Sequence, residues 1–207
     1  MIKPRPACGR TGLLVSLEAQ LWFVQENNIT LVSKGERKKI SSMFKKVFND
    51  NDIRRMNDLQ FMMSLVISLE IGYFHRRMEI ENYLIEYNED YPTANNIKNS
   101  LLNIISFIKK LELDRKSYWF NKANIFTMIV ELSKVDYSSV NVSLLKEKLE
   151  YIDEMNRSIL KPEGSEYPLN TYFFYAKEAV NDKKSRIIRG EIFEKILLDC
   201  SNVHTLF

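Results

Sequence analysis

Lys183, Lys184, Arg186 and Arg189 place four cationic side chains within one seven-residue stretch near the C-terminus. A second basic run, Lys34, Arg37, Lys38, Lys39, Lys45 and Lys46, lies in the N-terminal quarter, with Ser41 and Ser42 as further donors. Such runs can follow a phosphate backbone, whose oxygens accept hydrogen bonds from Lys, Arg and Ser side chains without reporting base sequence. The candidate nucleic-acid contacts are therefore Lys183, Lys184, Arg186, Arg189, Lys38, Lys39 and Lys45. A structural reading stands beside this one: a guanidinium fork clamps a carboxylate such as Asp58 as well as it clamps a phosphate. Arg186 and Arg189, three apart, share a helix face. Arg189 lies deeper and reads as the clamp, whereas Arg186 goes with a Lys183-Lys184 turn as the phosphate contact.

Other chemistry is sparse. His75 and His204 are the only histidines, and neither has a Cys, His or carboxylate partner at ligand spacing, so no metal site is expected. His75 follows Tyr73-Phe74 at a helix end, where a histidine favours the helix dipole. There is no Gly-x-Ser-x-Gly motif, phosphate loop or dinucleotide fingerprint, and no cofactor is expected. Glu79/Glu81 and Glu89/Asp90 read as solvated faces, and Met56, Met62 and Met63 as core packing.

The elements that must position these residues are helical. The chain has 207 residues, 45% of them hydrophobic and 28% charged, which is globular composition. With 6 Gly and 5 Pro, turns are few and elements long. A net charge of +3 is too small to argue for nucleic acid by itself. Its distribution is uneven: residues 1–50 carry nine Lys/Arg against four Asp/Glu, residues 51–100 five against eight. Two cysteines at opposite ends make neither a disulfide framework nor a metal set. With no secretory signal and no membrane-spanning run, the expected location is the cytoplasm.

Residues 1–12, with Pro4, Pro6, Gly9 and Gly12, read as a flexible arm. Residues 13–50 are open in fold: Gln20 to Ser33 forms either a small β-hairpin or part of a helix from Leu13 to Asn27, followed by a basic helix from Gly35 to Phe48. Residues 51–207 read as a helical domain. A long helix from Leu59 to Tyr73 is apolar on most sides and is expected at its centre. A short acidic helix spans Met78 to Tyr87. Ile97, Leu101, Ile104, Ile105, Ile108 and Leu111 follow an unbroken helical period, and Leu145, Leu149 and Ile152 mark a helix over Val142 to Met155. A loop from Leu160 to Pro168 precedes the closing pair: an aromatic helix from Tyr172 to Val180, a turn over Asn181–Ser185, and a last helix through Ile192 and Ile196. The expected fold is an all-α, irregular bundle of about seven or eight helices.

Three segments resemble one family. Ala179, Asn181-Asp182-Lys183, Arg186, Arg189 and Glu191-Ile192 are similar to the closing segment of the family that carries the N-terminal domain of GmrSD-type, modification-dependent restriction endonucleases. Arg55-Met56-Asn57-Asp58, leading into an apolar helix, is the second match. Lys122-Ala123-Asn124-Ile125-Phe126, then Ile129 and Leu132, is the third. The motif residues taken from it are Arg55, Met56, Asp58, Ala123, Asn124, Asp182 and Glu191. Asp58 would complement a helix dipole and bond free N–H groups, with Arg55 paired to a carboxylate. Family members begin with a ParB/sulfiredoxin-like domain bearing an Asp-Gly-Gln-Gln-Arg motif, and many end with an HNH nuclease domain. Neither motif occurs here, so the resemblance implies a non-catalytic helical module of a restriction or phage-defence protein. Its partners would be DNA and a separate subunit carrying the nucleotide-hydrolysing or nuclease domain. The alternative is a free-standing interaction domain, or a truncated remnant, with no nucleic-acid role.

Overall fold

The computed structural model describes residues 43–55, 57–75, 80, 82, 83, 91–158 and 167–201. The N-terminal arm, the hairpin-or-helix segment, Lys38, Lys39, Met56 and His204 lie outside the described residues, as does most of the acidic helix. Within the described residues the chain is an all-α bundle of seven α-helices: α1 (Asp50–Arg54), α2 (Asn57–Ile71), α3 (Ala94–Lys110), α4 (Lys122–Leu132), α5 (Val142–Arg157), α6 (Leu169–Tyr175) and α7 (Lys183–Asp199). One 3-10 turn, Tyr118–Phe120, leads into α4.

Helix starts follow their polar caps. The Asn121 side chain accepts from the Asn124 N–H to open α4, and Asn141 accepts from the Leu144 N–H to open α5. Asn49 caps α1 through the N–H groups of Asn51 and Asp52, while Asp52 accepts back from the Asn49 N–H at 3.1 Å. Two periodicities hold. Leu101, Ile104, Ile105, Ile108 and Leu111 are buried along α3, and Leu145, Leu149 and Ile152 along α5.

The central helix is α4, not the Leu59–Tyr73 segment. Every residue from Ala123 to Leu132 is buried, and the helix packs against α2, α3, α7 and the 3-10 turn. On α2 the burial is one-sided: Met62, Leu65 and Ile67 are inside, whereas Gln60 and Ile71 face solvent. Sequence favours α2 because it is more continuously apolar. Position in the bundle favours α4, which also encloses Asn124, Thr127 and Glu131.

Packing extends upstream of residue 51. Met43, Phe44 and Phe48 are buried. Phe44 and Phe48 meet Phe61 at centroid distances of 5.8 and 5.2 Å, and Phe61 meets Phe126 edge-on at 5.5 Å. Trp119, fully buried, donates from Nε1 to the Leu149 carbonyl at 2.8 Å and packs against Tyr172 and Phe193. Aromatic pairs of this kind contribute roughly 0.5–1.5 kcal/mol each beyond area burial. A single antiparallel bridge, Val140 to Ser201, ties the start of α5 to the end of α7.

The closing pair departs from the sequence expectation. α6 runs from Leu169 to Tyr175 only, and Ala176 to Asn181 are turns. Ala179 takes φ of +47°, a left-handed conformation that ends any helix through it. Lys183-Lys184-Ser185 is not a turn but the first turn of α7, with Asp182 at the N-cap in extended conformation. Polar residues look the same in a turn and in an exposed first helical turn, so composition could not separate the two.

Candidate functional site

The three segments of the resemblance, spread over more than 120 residues of chain, meet around one cleft of about 350 Å³. Asn57, Gln60, Phe61 and Ser64 come from the start of α2, Lys122, Ala123 and Phe126 from the start of α4, and Val180, Asn181, Arg186 and Arg189 from the last turn and the start of α7. Three of these eleven side chains are cationic and none is acidic. All three helices also point their N-terminal ends at the cleft, and each end carries roughly half a positive charge on its free N–H groups.

Arg189 is 1% exposed. Its Nε donates to Thr127 Oγ1 at 3.1 Å, Nη1 to the Tyr175 carbonyl at 2.6 Å and Nη2 to the Val180 carbonyl at 3.0 Å. Thr127 in turn donates to the Ala123 carbonyl at 3.0 Å. The clamp expected of Arg189 is therefore present, but it closes on neutral acceptors, not carboxylates. The reason is local: α6 ends at Tyr175 and leaves carbonyls without helical partners, and the guanidinium fork satisfies them. Burial lowers the Arg189 pKa from its ordinary value, opposed by the neighbouring Tyr172, Tyr73 and Tyr118.

Arg186 is also inside, 3% exposed, so the solvent-facing backbone contact expected of it is not what the fold provides. Its guanidinium carbon lies 4.3 Å from the centroid of the Phe126 ring and 5.6 Å from that of Phe74. The negative faces of these rings compensate a cation that sits at the wrong end of a helix dipole. Of the other predicted contacts, Lys184 and Lys45 are exposed and Lys183 is half-buried. Lys183 and Lys184 follow directly on the cleft residue Asn181 and the N-cap Asp182, whereas Lys45 does not line the cleft.

Lys122, the third cation, was not foreseen as a site residue. It pairs with Asp52, which also accepts from Asn57 Nδ2 at 3.1 Å. Burial alone would raise the Asp52 pKa, but hydrogen bonds from Lys122, the Asn49 N–H and Asn57 outweigh it and hold the carboxyl below its usual range. Asp52 thus fixes both Lys122 and Asn57 on the cleft wall.

The motif residues divide by burial. Asn124 is fully buried; its Nδ2 donates to the Tyr118 carbonyl at 2.9 Å and its Oδ1 accepts from the Tyr172 hydroxyl at 3.1 Å. Ala123 and Asp58 are buried. Arg55, Asp182 and Glu191 are exposed, and Arg55 pairs with no carboxylate among the described residues. Asp182 occupies the N-cap of α7 without a side-chain capping bond. Behind the cleft, Glu131 accepts from Tyr73 at 2.5 Å and from Lys134 at 2.8 Å, pressed against Gly190. Among the described residues no group of three His, Cys, Asp or Glu side chains could hold a metal ion, and no helix is long and apolar enough to cross a membrane.

What the fold and site define is an all-α bundle with an acid-free cationic cleft at three helix N-termini. No family model matches the chain, and no curated protein or solved structure is significantly similar to it.

Proposed function

We propose that the chain is a non-catalytic helical module of a GmrSD-like restriction or phage-defence system, and that it binds DNA at the mouth of the cleft. Catalysis is then the work of a separate subunit carrying the nucleotide-hydrolysing or nuclease domain. The observation that carries this reading is the convergence of three distant segments on one cleft whose lining holds three cations and no acid. Lys122, Lys183 and Lys184 supply mobile positive charge there, suited to phosphate contacts that position a nucleic acid without reading it. The buried arginines brace the cleft and leave the groove-following contacts to the lysines.

A second reading has one observation in its favour. Because Arg186 and Arg189 are inside the bundle, the same segments serve equally as the brace of an interaction domain or remnant without a nucleic-acid role. Fluorescence anisotropy with a labelled duplex separates the two. The first reading predicts binding at low salt, with the slope of log affinity against log salt reduced by about 0.9 for each phosphate-contacting lysine removed by Lys→Ala at 122, 183 or 184. Absence of duplex binding at low ionic strength leaves the second reading.

A further inference from the structure

We propose that the interior of the cleft is a site for a single terminal phosphoryl group, either that of a small phosphate monoester or that at the end of a nucleic-acid strand. The inference deepens the reading of the cleft as the binding element, and it does not require duplex binding at the mouth.

The argument rests on charge in a confined space. Arg186 and Arg189 are almost wholly buried, yet both contribute to the lining of the cavity. Arg189 spends three of its N–H donors on neutral oxygens and meets no carboxylate among the described residues. Burying a charge against dipoles alone is costly, and an anion alongside it relieves that cost. The acids nearest in sequence to the lining are committed elsewhere or face away. Asp52 holds Lys122 and Asn57, Asp58 is buried in the first turn of α2 outside the lining, and Asp182 is exposed at the N-cap of α7. Asp182 makes no side-chain capping bond, so it leaves the first N–H groups of α7 to other acceptors.

Size and valence choose the ligand. A cavity of about 350 Å³ is at the small end of ligand sites and admits a phosphate ester, not a duplex. Two guanidiniums, one ammonium and three helix N-termini favour a dianion over a monoanion, which selects a terminal phosphate over an internal phosphodiester or a carboxylate. Phe61 and Phe126 give the cavity an apolar wall against which the organic part of an ester can lie.

The test is thermal stability of the full chain in inorganic phosphate and in phenyl phosphate, against sodium chloride at equal ionic strength. The expected result is a Tm rise of about 3 °C or more at ten times the dissociation constant. The double variant Gln60→Glu/Asn181→Asp puts two carboxylates at the exposed edge of the cleft by isosteric changes, and should abolish the rise while leaving Tm in chloride near that of the parent. Asn103→Asp, an equally exposed change away from the cleft, should keep it. A short single strand with a 5′-phosphate, compared with the same strand bearing a 5′-hydroxyl, assigns the phosphoryl group to a strand end if only the phosphorylated form stabilises. Equal Tm in chloride and in every phosphate form, or an unchanged rise in the double variant, overturns the proposal. A phosphate-dependent rise with no duplex binding would remove the DNA reading alone, and duplex binding without the rise would remove this one alone.

Discussion

Arg189 Nη1 donates to the Tyr175 carbonyl at 2.6 Å, so the third turn of α7 closes the end of α6. The same guanidinium reaches Val180 and Thr127, and with them the turn between the helices and the central helix α4. Four pieces of structure thus depend on one side chain.

Removing that side chain should therefore be severe. Arg189→Ala strands two carbonyls and a hydroxyl and opens a cavity, and is expected to cost at least about 3 kcal/mol. Arg189→Lys, which keeps the charge but loses the fork, should recover only part of it. Urea denaturation followed by tryptophan fluorescence measures both, since Trp119 is buried beside Tyr172 and Phe193. A loss under about 1 kcal/mol for the alanine variant would show that the clamp is dispensable.

Gly190 has a steric reason to be glycine although its helix would favour another residue. A Cβ there would lie 2.4 Å from Glu131 Oε1 and 2.8 Å from Tyr73 Cε2. Gly190→Ala gains helix propensity worth roughly 1 kcal/mol. It should nevertheless destabilise by about 1–3 kcal/mol, because Glu131 and Tyr73 must move apart from the contact they share. Combining it with Tyr73→Ala should remove part of the penalty. A stabilising Gly190→Ala would mean that α7 and α4 can separate freely.

Acid should loosen the cleft wall. The Asp52 pKa is lowered in the folded protein from its ordinary 3.8, so its contribution is complete above about pH 4 and is lost as pH falls through the folded value. Asp52→Asn is expected to cost about 1–2 kcal/mol at neutral pH, discounted for the partial exposure of Lys122. The difference from the parent should shrink steadily below pH 4. A difference that stays constant down to pH 2 would show that the carboxylate charge is not what holds Lys122.

Much of the fold could be read from single segments, because amphipathic period is a property of one helix at a time. The faces of α3 and α5 follow directly from Leu101 to Leu111 and Leu145 to Ile152. What could not be read was anything set by the meeting of segments. Arg186 looks like a surface residue in sequence and becomes interior only because Phe126 and Phe74 approach it from α4 and the end of α2. Lys122 and Gln60 have no local signature as cleft residues. Asp52 stands apart from the resemblance, yet it anchors two of the cleft residues. Two signals were available and passed over: Gly190 within a helical run marks a close approach, and Ala179 before Asn181-Asp182 stands where a helix would have to stop.

The account stands on the claim that three distant segments form one binding element. Hydrogen exchange by mass spectrometry, with and without saturating 5′-phosphorylated duplex, tests it most directly. The first-turn amides of α2, α4 and α7 lack intrahelical acceptors and exchange readily in the free protein. Bound DNA should slow exchange together over residues 57–60, 122–123 and 183–185, and the slowing should vanish in Gln60→Glu/Asn181→Asp. Slowing confined to another surface, or to one of the three segments alone, would contradict the claim.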